Sequence, residues 1–190
     1  MTEIENIRRK NRERCLTVTQ GALPKGMIHL LDETGFFTAP AARKHHGAYI
    51  GGLYDHSEAV AMELADLTRA LKLEWEREAS PVIVGMLHDL CKTQEYVLVK
   101  DKESGTYKIE WNDQQILTGH GTVSVIIAQQ LASNLSDFWL TDEEMLCIRY
   151  HMGAFTDAKE WEFYGRAIEE YPNVLYTHTA DMIASKIRKL

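Results

Sequence analysis

Apolar residues recur at three- and four-residue steps along much of the chain, which is the spacing of one face of an α-helix. In the clearest case four residues follow one another at these steps: Val60, Leu64, Leu67 and Leu71. This pattern, or an uninterrupted apolar run, predicts helices over residues 2–19, 27–31, 49–73, 78–92, 113–133, 141–152 and 172–188. Because the run at 78–92 is apolar almost throughout, we expect that helix to be deeply buried.

Only one part of the chain has the composition of β-strands. Residues 96–100 and 106–110 are rich in β-branched and aromatic side chains and enclose a glycine-containing loop, so they predict a small hairpin near 95–110. Residues 36–48 are expected to form a loop, since proline and glycine interrupt them. The sequence therefore predicts an all-α helical bundle with one β-hairpin insertion.

The length and composition of the chain fit a single globular domain. It has 190 residues, of which 45% are apolar and 26% are charged, so it can bury a sizeable core. No apolar stretch approaches the ~20 residues of a membrane-spanning helix. The first ten residues lack the apolar centre of a signal peptide. We therefore expect a cytoplasmic protein with no membrane partner.

The charge of the chain limits the partners that it can take. The formal net charge of −7 is unfavourable for an extended nucleic acid, because binding such a backbone calls for a basic surface. A small phosphate ester held by metal ions is not excluded, since the cations supply the local positive charge. The three cysteines stand singly and are expected to be free thiols: Cys15, Cys91 and Cys147.

The candidate chemistry begins with His88 and Asp89, which interrupt the apolar segment 81–92. Such side chains are rarely buried unless they are paired or bound to a metal. Further candidates fall on other predicted helices: His56, His120, His151, His178 and Asp181. Helices of a bundle can direct such groups to one site, and histidine with carboxylate suits divalent Mn, Fe, Co, Ni or Zn. For each histidine taken alone, a hydrogen-bonded place in the core is the competing interpretation.

Small residues stand beside several of these candidates. Gly51 and Gly52 precede His56, glycines flank His120 on both sides, and Gly153 follows His151 closely. A glycine within a helix costs about 1 kcal/mol relative to alanine, so its presence there needs a reason. Close approach by a ligand and crowding between helices both fit the pattern.

The order of the candidate residues resembles that of the HD-domain superfamily of metal-dependent phosphohydrolases: His56, His88-Asp89, His120, His151 and Asp181. Residues 40–57 read PAARKHHGAYIGGLYDHS. They are similar to the segment that bears the first metal-binding histidine in HD domains of bacterial 3′-5′ exoribonucleases of the YhaM type. The resemblance covers roughly residues 36–186. It implies a single HD domain over 1–190, in which residues 1–35 form an N-terminal helical extension.

The resemblance also implies a helical bundle that binds two divalent transition-metal ions. One ion would have four protein ligands: His56, His88, Asp89 and Asp181. Asp89 would bridge to a second ion, which His120 and His151 would also bind. Two ions about 3.5–4 Å apart can activate a shared water and clamp a displacement at phosphorus. Asp89 is thus the first residue expected to be catalytic.

The second such residue is Lys92, which is expected to contact a phosphate oxygen and to neutralise charge in the transition state. In many HD domains a glycine precedes this lysine, whereas this chain has Cys91 there. Three further residues are expected to contact the substrate: His46, Arg149 and Tyr150. His178 is expected either to orient a metal ligand through a hydrogen bond or to be structural.

These expectations point first to an enzyme, a phosphohydrolase acting as phosphatase or phosphodiesterase on a nucleotide or another small phosphate ester. Two alternatives stay open: a 3′-5′ exoribonuclease-like nuclease, and a non-enzymatic HD sensor or binding module. Against the nuclease stand the net charge of −7 and the shortness of residues 1–35, which cannot supply the OB-fold domain of those exoribonucleases. Against the binding module stands the complete set of metal ligands.

Overall fold

Helices dominate the computed structural model, which describes residues 1–44 and 47–189. Nine α-helices lie within these residues: α1 (Glu3–Val18), α2 (Lys25–Glu33), α3 (Gly52–Leu71), α4 (Ser80–Leu87), α5 (Lys92–Glu95), α6 (His120–Ala132), α7 (Asp142–Tyr150), α8 (Trp161–Glu170) and α9 (Asn173–Met182). Two 3-10 turns, Gly153–Phe155 and Ala158–Glu160, lie between α7 and α8, and a π-helical turn, Ile183–Arg188, continues α9. The prediction of an all-α fold with a small β insertion is confirmed.

The β structure of the described chain is one antiparallel hairpin, formed by β1 (Tyr96–Lys100) and β2 (Tyr107–Trp111). Tyr96 pairs with Trp111 at the base of the hairpin, where the centroids of their rings lie 4.9 Å apart. The predicted hairpin near 95–110 is therefore confirmed. Because β1 follows α5 directly, the base of the hairpin stays close to the segment that begins with His88 and Asp89.

Helix α7 begins at a capping box. The Thr141 hydroxyl accepts a hydrogen bond from the Glu144 backbone N–H at 3.2 Å, and the Glu144 carboxylate accepts one from the Thr141 N–H at 3.0 Å. Glu144 is fully buried and also accepts a hydrogen bond from Ser80 Oγ on α4 at 2.7 Å. The box therefore determines both where α7 begins and where it contacts α4.

The core forms where α3, α4, α7 and α9 pack against one another. Gly85 lies where α4 approaches α3, and a Cβ atom at this position would overlap the backbone of Ala61. Any side chain there would force the two helices apart. Large side chains with almost no exposure fill the interior, among them Met27, Phe36, Phe37, Tyr54, Leu64, Met86 and Ile148. This packing brings the end of α4 next to the end of α7.

Three segments differ from the predicted helices. The helix predicted at 78–92 ends at Leu87, and short-range hydrogen bonds turn the chain through residues 88–91 before α5 begins. Helix α6 begins at His120 instead of residue 113, because Gly119 has a φ of 92°, outside the helical region. Helix α8 has no counterpart among the predicted helices, although Tyr164, Ala167 and Ile168 on one of its faces pack in or against the core. No helix of the described chain combines the length and apolar character that crossing a membrane requires.

Candidate metal centre

Six residues predicted to bind metal converge on one place in the structure. They come from five segments: His56 on α3, His88 and Asp89 as the two residues after α4, His120 as the first residue of α6, His151 directly after α7, and Asp181 on α9. Four of them are buried: His56, His88, Asp89 and His151. The side chains of His120 and Asp181 are 22% and 15% exposed, respectively. The cluster therefore has a buried side and a side that reaches towards solvent.

His88 and His151 occupy equivalent positions, because each directly follows the last residue of a helix. The Nδ1–H of His88 donates to the Gly85 carbonyl at 2.8 Å, and the Nδ1–H of His151 donates to the Ile148 carbonyl at 2.7 Å. A carbonyl only accepts, so the proton of each neutral ring is held on Nδ1. The Nε2 lone pair of each ring then faces the cluster, as metal ligation requires.

The Asp89 carboxylate stands between two pairs of histidines. Its Oδ2 atom lies 3.8 Å from Nε2 of His56 and 3.8 Å from Nε2 of His88. Its Oδ1 atom lies 2.5 Å from Nε2 of His120 and 3.4 Å from Nε2 of His151. Each oxygen thus faces a different pair, which is the arrangement that a carboxylate needs to bridge two ions.

We define the first half-site as His56, His88 and Asp181 together with Asp89 Oδ2. His56 Nε2 lies 3.1 Å from Asp181 Oδ1 and 3.3 Å from His88 Nε2. One ligand atom from each of His56, His88 and Asp181 lies within 4.8 Å of the other two. Imidazole nitrogens combined with a carboxylate oxygen suit first-row divalent ions, so these residues could hold one.

We define the second half-site as His120 and His151 together with Asp89 Oδ1. The Nε2 atom of His151 is buried and makes no hydrogen bond within the described residues, although Asp89 Oδ1 is only 3.4 Å away. A buried nitrogen without a partner costs free energy. A divalent ion would satisfy this lone pair, so the residues present fit a metal.

Burial and the charge of Asp89 give His88 and His120 opposite protonation states. Burial lowers the pKa of His88 to about 4, so its ring is neutral. Burial also opposes a charge on His120, but the attraction of Asp89 and its hydrogen bond outweigh that effect and raise the pKa of His120 to about 12. His120 and His88 in turn hold the pKa of Asp89 well below its usual range, against the effect of burial. Without a metal, the protonated His120 is therefore the cation that balances Asp89.

Glu95 belongs to the centre although no sequence motif singles it out. Its Oε1 atom lies 3.2 Å from His120 Nδ1, and its Oε2 atom accepts a hydrogen bond from Lys92 Nζ at 2.9 Å. Burial raises the pKa of Glu95, but hydrogen bonds from these two cations outweigh it and lower the pKa to about 2. A carboxylate that holds the far nitrogen of an imidazole orients that ring as a metal ligand. The only sequence signal is the three-residue step from Lys92 to Glu95, which puts two opposite charges on one helix face.

Cys91 lies on the same side of the centre as Glu95. Its Sγ atom is fully buried and 3.2 Å from His120 Nδ1. Burial raises the pKa of the thiol, so it is uncharged near neutral pH. Together with Asp89 and His120 it forms a further group whose ligand atoms lie within 4.8 Å of one another. The residue that stands where many HD domains have glycine thus contacts the second half-site.

A cavity of about 430 Å³ opens from the centre to solvent. Its walls include five of the six predicted ligands, namely His56, Asp89, His120, His151 and Asp181. Lys92, predicted to be catalytic, lines the cavity as well, although its ammonium group is engaged by Glu95. The cluster is therefore accessible to a small molecule from one side.

The remaining predicted residues lie in different surroundings. His178 lines the cavity, and its Nδ1–H donates to the backbone carbonyl of His151 at 2.8 Å, so it braces the segment that carries a predicted ligand. Arg149 pairs with Glu160 and lies over the ring of Tyr150 at 4.9 Å. Neither Arg149 nor Tyr150 is part of the described cavity wall, so the structure does not bring them to the centre. His46 lies outside the described residues.

The glycines next to the ligands serve contacts between backbone segments. A Cβ atom on Gly52 would overlap the carbonyl of Gly47, and one on Gly121 would overlap the carbonyl of Arg149. A Cβ atom on Gly153 would lie 2.5 Å from the ring of His178. At these positions crowding within the fold, one of the two interpretations open from the sequence, explains the glycine.

No protein-family model, curated protein or solved structure matches the chain. The relationship to HD domains therefore stays a prediction, which rests on the order of the ligand residues and on the segment 40–57.

Proposed function

We propose that the protein is a metal-dependent phosphohydrolase, which cleaves a phosphomonoester or phosphodiester bond in a small substrate such as a nucleotide. The observation that carries the proposal is the Asp89 carboxylate, whose two oxygens face separate pairs of histidines. A cavity lined by apolar side chains and a few convergent polar groups is the usual setting of a small-molecule site. Perturbed pKa values in such a cavity add support, because catalytic groups often have them.

Two divalent ions would have separate ligands in this centre, with His56, His88 and Asp181 on one side and His120 and His151 on the other. Asp89 would contact both ions. Bound ions would supply an acidified water and stabilise negative charge at phosphorus. The donor set suits Mn, Fe, Co, Ni or Zn, and their relative abundance in the cell would decide among them.

The protein's own residues orient this ligand set in advance. Backbone carbonyls hold the rings of His88 and His151 with Nε2 inward, and Glu95 holds His120 through Nδ1. Asp89 is aligned by contacts on both of its oxygens. Because these groups are held by the fold, their ligand atoms already converge on one place before an ion binds, which favours both affinity and catalysis.

The net charge of −7 does not oppose this function. The ligand set contains two carboxylates, Asp89 and Asp181, whereas two divalent ions bring four positive charges. A loaded centre would therefore be locally positive, and local charge matters more than net charge for a small anion in a cleft.

Metal analysis combined with a substrate screen tests the proposal. The protein is stripped with a chelator, reloaded with Mn, Co, Ni, Zn or Mg in turn, and assayed on nucleotides, phosphodiesters and generic phosphate esters. We expect more than one equivalent of metal and an activity that depends on it. Asp89→Ala should abolish metal binding and activity while the helical content measured by circular dichroism is retained. The control is Asp137→Ala, which removes an exposed carboxylate. A protein that binds no transition metal would overturn the proposal, and processive shortening of a single-stranded RNA would favour the nuclease alternative.

A further inference from the structure

Two lysines line the cavity within the described chain, Lys92 and Lys186. Lys92 is largely buried, and its Nζ lies 2.9 Å from Glu95 Oε2. The same carboxylate contacts His120 through its other oxygen. The charge of Lys92 is therefore already balanced inside the protein, and an anion in the cavity would have to compete with Glu95 for it.

Lys186 is in the opposite situation. It lies on the π-helical turn Ile183–Arg188, shortly after Asp181. Its ammonium group has no hydrogen-bond or ion-pair partner within residues 1–44 and 47–189. Ser185, which precedes it, is buried and lines the cavity too. Single π-helical turns are frequent at functional sites. Lys186 is exposed to solvent on the cavity wall and is not paired with any described residue, so its charge is available to an anionic group.

An aromatic ring stands at the mouth of the same cavity. Phe155 lies on the 3-10 turn that follows His151, and it is 68% exposed although it lines the cavity. Its ring centroid is 6.3 Å from that of His178. Met182 contributes another apolar side chain to the wall. A flat apolar surface that leads from solvent to a charged centre suits a planar ring, because such rings stack favourably on phenylalanine.

We propose that Lys186 and Phe155 form the substrate subsite of the centre, with Lys186 binding a terminal phosphate and Phe155 stacking on a planar ring in the leaving group. The preferred substrate class is then a phosphomonoester of a ring-bearing alcohol, such as a nucleoside monophosphate. A phosphomonoester carries about −1.5 to −2 charges at pH 7, so it gains more from an unpaired cation than a diester does. The inference rests on the proposed function for the reaction, but the subsite itself is defined by binding.

Binding to the Mn-loaded protein tests the subsite, with two non-hydrolysable probes measured by calorimetry. They are the methylene phosphonate analogues of adenosine monophosphate and of glycerol 3-phosphate. Lys186→Gln should weaken both by about tenfold, since it removes one charge-assisted hydrogen bond. Phe155→Ala should weaken only the adenosine analogue, also by about tenfold. Lys102→Gln on the hairpin loop removes the same charge away from the cavity wall and should change neither.

The outcomes separate the subsite from the proposed function. Wild-type affinity for both probes in Lys186→Gln, or equal losses for both probes in Phe155→Ala, would overturn the subsite. Loss of bound Mn from Lys186→Gln would overturn it as well, because the lysine would then act on the metal ligands. If the variants behave as expected but the wild type hydrolyses no phosphate ester, the subsite stands and the proposed phosphohydrolase activity fails.

Discussion

The two half-sites share Asp89 but differ in how the fold holds them. The ligands of the first come from the beginning of α3, the residue after α4 and the last turn of α9, and these three helices pack in the core. The second depends on His120, which is the first residue of α6 and follows the irregular segment 112–119. His88 is fully buried, whereas the His120 side chain is 22% exposed.

The two half-sites are therefore expected to differ in rigidity. The first half-site is held by helix packing, which changes only when the core changes. In the second half-site the backbone carbonyl of Ile148 holds His151, but side chains hold His120, because Glu95 and Cys91 contact its far nitrogen. We therefore expect the first half-site to bind metal more tightly and the second to be the more sensitive to single substitutions outside the ligand set.

Removing one ligand from each half-site is the strongest test of the comparison. We expect His56→Ala to lower the metal affinity of the first half-site by more than about 100-fold, and His120→Ala to lower that of the second by as much. Replacing a residue that only holds a ligand already lowers metal affinity by about 10–100-fold, so removing a ligand should lower it further. Each variant should keep about one equivalent of metal by elemental analysis and lose phosphatase activity. Loss of both equivalents from His120→Ala would contradict the independence of the first half-site.

Replacing Glu95 tests whether side chains hold the second half-site. Glu95→Gln removes the carboxylate behind His120 and should weaken the second equivalent by about 10–100-fold while leaving the first unchanged. Titration with Co while its visible spectrum is followed distinguishes the two equivalents. Glu103→Gln on the hairpin loop is the matched control, and equal weakening of both equivalents by Glu95→Gln would refute the assignment.

In the metal-free protein, the pKa values of His88 and His120 are expected to differ in direction, which distinguishes a ligand of the first half-site from one of the second. The pKa of His88 is lowered from 6.5 to about 4, so the stability that its neutral ring contributes is lost as pH falls through that window. The pKa of His120 is raised from 6.5 to about 12, so its contribution is complete below 6.5 and is lost as pH rises towards 12.

At pH 6, nitrogen-detected NMR should therefore show a neutral His88 and a doubly protonated His120. Adding Zn at pH 7 should release a proton from His120, which calorimetry in buffers of different ionisation enthalpy measures. A neutral His120 in the metal-free protein would contradict the proposed contrast.

The smallest effect is expected at Cys91. Cys91→Ala removes a buried sulfur next to His120 but leaves the contact of Glu95 in place. We expect a loss of about 1 kcal/mol in the free energy of unfolding, the typical cost of a buried substitution. Metal affinity at the second half-site should change by no more than a few-fold. A large loss of the second equivalent would show that the sulfur is itself a ligand.

Some elements of the fold could be predicted from local sequence patterns and others could not. The repeating apolar positions of α3, the Thr141 capping box and the β-prone runs of the hairpin are local patterns, and all three correspond to observed elements. The start of α6 does not follow from such a pattern, because the positive φ of Gly119 interrupts a run that reads as helical. Helix α8 does have such a pattern, because Trp161, Tyr164 and Ile168 recur at three- and four-residue steps, so it was predictable from the sequence although it is absent from the predicted helices.

The helical fold class and the hairpin follow from the sequence, because helix periodicity and β-prone runs are local properties. The six histidine and aspartate candidates follow from polar residues in apolar segments together with the resemblance to HD domains. Three relations are visible only in the folded chain: which oxygen of Asp89 faces which histidines, the contacts of Glu95 with both Lys92 and His120, and the lack of a partner for Lys186 among the described residues. These relations join residues on different elements. They depend on where the helices end and on how closely α3, α4, α7 and α9 approach one another, and the periodic pattern of apolar residues specifies neither.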